Sequence, residues 1–334
     1  MVSTSTSNRY PICALALSVL LLSSCASAPQ QRTTSTDDAN GHYPVTVQNC
    51  GAEVTFEAEP ERLVLLKSAS VPALHDLGVL DRAVARAGAY PEEYYDDATR
   101  GELRDIEHLT GDLDSSGHLE ISKDVVIAQQ PDLVMGEVEN LGRDSLAAVG
   151  VPLIEEPALC PSGAPADPGF QSVYDQLEVY GTVFDAEDRA QQVIGSLQER
   201  VRAVEERVGE GDGRTAAVLY PTVGGGTTYA YGTQSMAQPQ LEAAGFTNVF
   251  DDVDERVFEV SPEELIGRDP DVLILLHSEG DPQAVEAAVE ALPGADQITA
   301  VAEGEVLVHL MNFTEPATPL AVDGLEAIVE RFPR

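Results

Sequence analysis

Hydrophobic and polar residues along this chain alternate with two different periods. From Tyr43 to Ala58, YPVTVQNCGAEVTFEA alternates apolar and polar positions on either side of Asn49-Cys50-Gly51, which predicts two strands joined by a tight hairpin turn. The run Arg62 to Leu66 (RLVLL) reads as a buried strand, and ASVPALHDLG after it reads as a helix ended by Gly78. Helical and strand patterns keep alternating through ISKDVVIAQQ, PDLVMG, RDSLAAVG and VPLIEE. After a middle section the alternation restarts at Thr215 with TAAVLY, a Gly-rich loop, SMAQPQLEAAG, SPEELIGRD, PDVLILL, PQAVEAAVEAL, GEVLVHLMNF and a last helix, AVDGLEAIVERF. Such alternation predicts an α/β fold with mainly parallel sheets.

The middle section has a period of its own. From Asp185 to Val208 the only Gly or Pro is Gly195, and Ala190, Val193, Ile194, Leu197, Val201, Val204 and Val208 recur at steps of three and four. This predicts one amphipathic helix of roughly 35 Å, long enough to cross a whole domain.

One unit is written twice. SKDVVIAQQPDLVM (122–135) and SPEELIGRDPDVLI (261–274) each place a Ser where it would cap a helix and an acid in the first turn. Each then has Pro-Asp before a buried strand, and the second copy adds Glu264 at the capping-box position. Ser-x-acid caps and Pro-Asp strand entries are common singly, but cap, helix length and strand entry match together here. The pattern predicts two similar α/β lobes with mainly parallel central sheets, joined by one long α-helix.

The start of the chain belongs to another class. Residues 11–22, PICALALSVLLL, follow a single positive charge at Arg9 and are too short to span a bilayer as a mature helix, so they read as a secretory signal. Leu22-Ser23-Ser24-Cys25 then resembles a bacterial lipobox, with cleavage before Cys25 and acylation of that Cys. Cleavage after Ala26-Ser27-Ala28, which would discard Cys25, is the alternative. The expected organisation is a signal peptide at 1–24, a flexible tether at 25–43, an N-terminal lobe at 44–165, a helical segment at 166–210 and a C-terminal lobe at 211–334.

Charge and cysteine usage narrow the function. Without residues 1–24 the chain carries 18 Lys+Arg against 57 Asp+Glu, a formal charge of −39, which leaves few bases to build a nucleic-acid surface. The acidity bears on solubility, and on a salty habitat if there is one, rather than on fold. With Cys13 removed and Cys25 acylated, Cys50 and Cys160 are left in a disulfide-permissive compartment and are expected to pair, two buried thiols being the alternative. No CxxC and no ligand spacing among the six His (42, 75, 108, 118, 277 and 309) supports a metal site. No GxSxG or HExxH marks an enzyme, and Gly224-Gly225-Gly226 fits no nucleotide-binding motif.

In this order and behind a lipobox, the elements Pro60-Glu61-Arg62-Leu63-Val64, LHDLGVLDRAV, SKDVVIAQQPDLV, the long helix and SPEELIGRDPDVLIL resemble the class III substrate-binding proteins of ABC importers. That family carries iron-siderophores and vitamin B12, and the resemblance covers about residues 44–334. It implies a monomer, anchored at the outer face of the cell membrane, that binds its ligand between two lobes without catalysis and without a resident cofactor. It also implies a partner permease with its ATPase, docked through one exposed acid on each lobe. Those acids fall on Asp124 and Glu263, the first departing from the Glu usual in both lobes.

Ligands of such folds approach loops at the carboxyl ends of strands. Lys67 after RLVLL is placed to meet an anionic ligand group, and Tyr90 follows RAVARAG. Tyr220, Tyr229 and Tyr231 flank the Gly-rich loop, His277 closes VLILLH, and Asn312 follows VLVHLM. The absence of an arginine cluster among them favours a neutral or cationic chelate, such as a hydroxamate-type ferric siderophore, over a strongly anionic one. A corrinoid, haem or a bare divalent metal ion is the alternative cargo.

Overall fold

The computed structural model describes residues 41–112, 119–161, 163 and 166–333. The expected signal peptide, Cys25 and nearly all of the tether lie outside these residues. In the first half the elements are β1 (Val45–Asn49), β2 (Ala52–Phe56), β3 (Leu63–Leu65), α1 (Val71–Leu77), β4 (Ala83–Arg86), α2 (Asp97–Asp105), β5 (Glu107–His108), α3 (Lys123–Ala128), β6 (Leu133–Met135), α4 (Arg143–Ala147), β7 (Leu153–Ile154) and α5 (Phe170–Val183). The second half has α6 (Glu187–Val208), β8 (Thr215–Pro221), β9 (Thr228–Tyr231), α7 (Ala237–Ala243), β10 (Thr247–Asn248), β11 (Val257–Val260), α8 (Pro262–Arg268), β12 (Val272–His277), α9 (Pro282–Glu290), α10 (Thr299–Glu303), β13 (Val306–Leu310) and α11 (Leu320–Arg331). No helix among the described residues is long and apolar enough to cross a membrane.

β1 and β2 form the expected hairpin, turning at Cys50 (φ 52°) and Gly51 (φ 75°), the paired left-handed conformations of a type I′ turn. The turn carries the disulfide from Cys50 to Cys160, whose Cα atoms are 5.3 Å apart. The N-terminal sheet is parallel throughout, in the order β5-β4-β3-β6-β7. In the second sheet, β8-β12-β13 are parallel neighbours. The other edge of β8 is shared: Thr215 and Ala216 pair with β10 in parallel, and Leu219–Pro221 pair antiparallel with β9. β9 in turn pairs antiparallel with β11, so the Gly-rich loop closes a hairpin and this sheet is mixed at that edge.

The twice-written unit has one geometry. Ser122 Oγ accepts from the Val125 N–H and Ser261 Oγ from the Glu264 N–H, so both serines cap as expected. The Glu264 carboxylate itself turns to Arg268, one helical turn on. The Asp of each Pro-Asp then ties its strand to the neighbouring one. Asp132 accepts from the Glu61 and Arg62 N–H groups just before β3, and Asp271 accepts from the N–H and hydroxyl of Thr215 at the start of β8. The strand order β3-β6-β7 is thereby matched by β8-β12-β13. These carboxylates satisfy backbone donors at the entry to each central strand, which is why the same two-residue phrase opens both strands.

Helix α6 holds the two sheets together. Its buried stripe is the predicted one (Ala190, Val193, Ile194, Leu197, Val201, Val204 and Val208), and it packs on α1 and α5 towards one sheet and on α7 and α11 towards the other. One continuous core therefore includes Leu63 and Leu65 of the first sheet and Val218 and Ile274 of the second. Each buried aliphatic side chain of this kind contributes about 1.5–3 kcal/mol. Arg200 adds a polar clamp, donating to Asp323 and to both carboxylate oxygens of Glu326 on α11. Gly181 lets α5 and α6 approach closely, since a Cβ there would lie 2.8 Å from that of Ala190.

Candidate ligand cleft

A cavity of about 500 Å³ opens between the carboxyl ends of strands from both sheets. Ala89, Tyr90, Pro91 and Glu93, which follow β4, line one side. His277, Glu279, Gly280 and Pro282 from the end of β12 and the segment after it line the other, with Val308, His309, Leu310 and Phe313 from β13 and its continuation. No Lys or Arg is among these lining residues. A second concavity, of about 480 Å³, is bordered by Cys50, Glu137, Arg143 and Pro161 and draws on no residue of the second sheet.

Two of the expected ligand residues, Tyr90 and His277, meet in the cleft. The Tyr90 hydroxyl donates to the Leu65 carbonyl at 3.0 Å, the Arg86 guanidinium lies 4.9 Å from its ring centroid, and burial raises its pKa well above the ordinary value. His277 Nδ1 lies 3.1 Å from the Glu279 carbonyl oxygen, which has no proton to give. Nδ1 therefore carries the proton in neutral His277, and Nε2 is its acceptor atom.

The remaining candidates take other places. Lys67 pairs with Glu155 at 2.5 Å, and Glu155 is 1% exposed, so the base expected to meet an anionic ligand is the counter-ion of a buried acid. The Glu155 carboxylate also accepts from the Glu137 and Glu156 N–H groups. Asn312 is buried at a seam between the lobes: its N–H donates to the Tyr94 hydroxyl at 2.9 Å and its side-chain amide to Ser68 Oγ at 3.1 Å. Tyr231 is buried in the main core, and that burial raises its pKa. Tyr220 and Tyr229 face each other across the β8–β9 ladder, with the Tyr220 hydroxyl 3.0 Å from Ser278 Oγ, and neither lines the cavity. Asp124 and Glu263 are exposed at equivalent positions, the second residue of α3 and of α8.

The cleft also contains residues that sequence reasoning missed. His309, the next-to-last residue of β13, is buried, with Nε2 3.2 Å from Thr314 Oγ1 and its ring centroid 5.7 Å from that of Phe313. Nδ1 has no hydrogen-bond partner among the described residues, and desolvation together with the nearby His277 lowers the pKa of His309 to about 4. Its position at the end of a predicted strand was the available signal. Glu93 and Glu279 bring the only carboxylates to the lining, one from each side.

The family model of the periplasmic binding proteins matches residues 63–309, most of the chain. The chain belongs to the periplasmic binding protein family. It has the class III form of that fold, two α/β lobes linked through a long helix, and it is a solute-binding protein of the ABC-importer kind rather than an enzyme. A solved structure described as an ABC-type Fe3+-hydroxamate transport system, from Saccharomonospora viridis, is 56% identical and covers 88% of this chain and 100% of its own, with a TM-score of 0.82. An uncharacterized ABC transporter substrate-binding lipoprotein of Bacillus subtilis, YvrC, is 21% identical over 95% of this chain and 94% of its own length. A cobalamin-binding protein of Halobacterium salinarum is 24% identical over 92% of this chain and 79% of its own length.

Proposed function

We propose that this periplasmic binding protein is a monomeric lipoprotein, anchored through Cys25 to the outer face of the cell membrane, that captures a metal chelate in the interlobe cleft. The chelate is a ferric siderophore of hydroxamate type. The receptor delivers it to a permease, powered by a separate ATPase, through Asp124 on one lobe and Glu263 on the other. In this reading the lobes span 44–165 and 211–334, with the helical segment 166–210 between them and the tether 25–43 leading to the membrane.

The observation that carries the cargo is the 56% identity to the Saccharomonospora viridis Fe3+-hydroxamate structure over all of that chain. The cleft agrees with it chemically. A lining with two carboxylates, two imidazoles, two aromatic rings and no Lys or Arg suits a neutral or cationic chelate with apolar flanks and disfavours a multiply charged anion. The Bacillus subtilis relative, named a lipoprotein, supports the anchor. A corrinoid is the second reading, favoured by the cobalamin-binding relative from Halobacterium salinarum.

The test is calorimetric titration of the purified mature chain with ferric hydroxamates, ferric catecholates, haem, corrinoids and bare divalent ions. A ferric hydroxamate should bind more tightly than about 10 μM, roughly −7 kcal/mol, and ahead of the others. Tighter binding of a corrinoid, of haem or of a bare ion would replace the siderophore reading.

A further inference from the structure

His42 lies beside the turn between α5 and α6, about 140 residues later in the sequence. Its Nε2 lies 2.9 Å from the Thr182 carbonyl oxygen, and the neighbouring Tyr43 hydroxyl donates to the Val183 carbonyl at 2.8 Å. Both contacts use carbonyls at the C-terminal end of α5, where helix acceptors lack intrahelical partners. A carbonyl cannot donate, so Nε2 carries the proton. Nδ1 faces Asp185 Oδ1 at 3.3 Å and Glu187 Oε1 at 3.7 Å, and the three atoms all lie within 4.8 Å of one another.

These distances separate two explanations. An imidazolium held directly by a carboxylate would settle at about 2.7–2.9 Å, the usual length of a charge-assisted N–H···O bond. Three donors around one tetrahedral cation, each about 2.0–2.1 Å from it, stand about 3.3–3.4 Å apart along the tetrahedron's edges. Both separations from His42 Nδ1, 3.3 and 3.7 Å, lie nearer the second value than the first. A ligating His also characteristically donates its other ring N–H to a backbone carbonyl, which fixes tautomer and ring orientation as Thr182 does here.

Charge and access agree. A neutral imidazole with two carboxylates carries −2, which one divalent cation neutralises, and a mixed nitrogen and oxygen set suits Zn2+ and its first-row neighbours better than Ca2+, which takes six to eight oxygens. The His42 side chain is 17% exposed and those of Asp185 and Glu187 are 39% and 48% exposed, so none of the three is sealed from solvent.

We propose that His42, Asp185 and Glu187 form a divalent-cation site of the Zn2+ type, which clamps the end of the N-terminal tether to the start of the lobe-linking helix. The site lies outside the cleft and does not depend on the identity of the cargo.

The experiment uses the untagged mature chain, stripped with a chelator and titrated with Zn2+ alone by calorimetry, with Tm followed in parallel. One Zn2+ should bind more tightly than about 10 μM and raise Tm. His42→Ala and Asp185→Asn should each weaken binding at least tenfold and lose the Tm rise, whereas His277→Ala should keep both. Substitution with Co2+ should give the visible spectrum of a four-coordinate nitrogen and oxygen site in the wild-type chain, a readout that survives if a variant fails to fold. No binding in this range, unchanged binding in His42→Ala, or binding lost in His277→Ala would overturn the proposal, the last by moving the ion to the cleft.

Discussion

The backbone N–H of Asn312 donates to the Tyr94 hydroxyl at 2.9 Å, joining the segment after β13 to the one after β4 across the two lobes. Tyr94 is buried, and its ring lies edge-on to Phe313 at 5.3 Å. Tyr94→Phe keeps that ring contact and strips the acceptor from a buried donor, which costs about 1–3 kcal/mol. Denaturant unfolding should show that loss with an unchanged far-ultraviolet spectrum. A variant as stable as the wild type would mean that the seam does not depend on this bond.

Lys67 and His277 should respond in opposite ways. Lys67→Met leaves Glu155 buried without its counter-ion, and breaking a fully buried pair costs about 3–5 kcal/mol. Part of the Lys67 side chain reaches solvent, so a loss below that range is expected. Chelate affinity should hold in that variant, because the charge of Lys67 is committed to Glu155. His277→Ala should instead weaken chelate binding at least tenfold, about 1.4 kcal/mol, with little change in unfolding free energy. Affinity lost with Lys67 and kept without His277 would move the ligand away from the cleft described above.

Docking is tested separately from binding. Asp124→Ala combined with Glu263→Ala should abolish uptake by cells and leave the calorimetric dissociation constant of the chelate unchanged, because both acids are exposed and outside the cavity lining. Asp124→Glu should transport at least as well as the wild type. Loss of affinity in the double variant would end the docking assignment.

The Cys50–Cys160 disulfide closes a loop of 110 residues and staples the β1–β2 turn to the segment after β7. Cys50→Ser with Cys160→Ser should lower stability by about 2–5 kcal/mol, read as a shift of the denaturation midpoint. The effect should be reproduced in the wild type by a reducing agent.

Periodicity carried most of the architecture. The helix read from Asp185 to Val208 marked α6 to within two residues of its start, and the repeated cap and Pro-Asp phrase marked the two equivalent strand triplets. What stayed hidden depends on pairing between distant residues. Nothing in TVGGGTTYAY says that β9 runs antiparallel, because the alternation of a short strand is the same in either direction. Lys67 looked available because its partner, Glu155, lies 88 residues further along the chain. Asn312 looked like a ligand residue for the same reason, its partners being Tyr94 and Ser68. His309 and the cluster at His42 are likewise assembled by the fold, and one-dimensional spacing does not show them.

Glu156 gives stability a pH dependence with a definite sign. Burial first, and then the adjacent Glu155, push its carboxyl up from an ordinary value of 4.5 to about 8, against the lowering effect of the Tyr180 hydroxyl, which donates to Oε1 at 2.6 Å, and of Lys67. Between those two values the folded chain holds a proton that the unfolded chain has released, so stability falls as pH rises, with a limiting slope of about 1.4 kcal/mol per unit. His309 works the other way. Its lowered pKa means that the unfolded chain takes up a proton first, and stability is lost as pH falls from 6.5 to about 4. The two slopes oppose each other between 4.5 and 6.5, and of the two only the fall due to Glu156 continues above 6.5. Glu156→Gln keeps an acceptor for Tyr180 and carries no charge, so wild type minus variant isolates the carboxyl. That difference, measured by denaturant unfolding from pH 4 to 9, should decline through the window and level off above about 8. A difference that is flat or rises with pH would show that Glu156 is ionised within the fold.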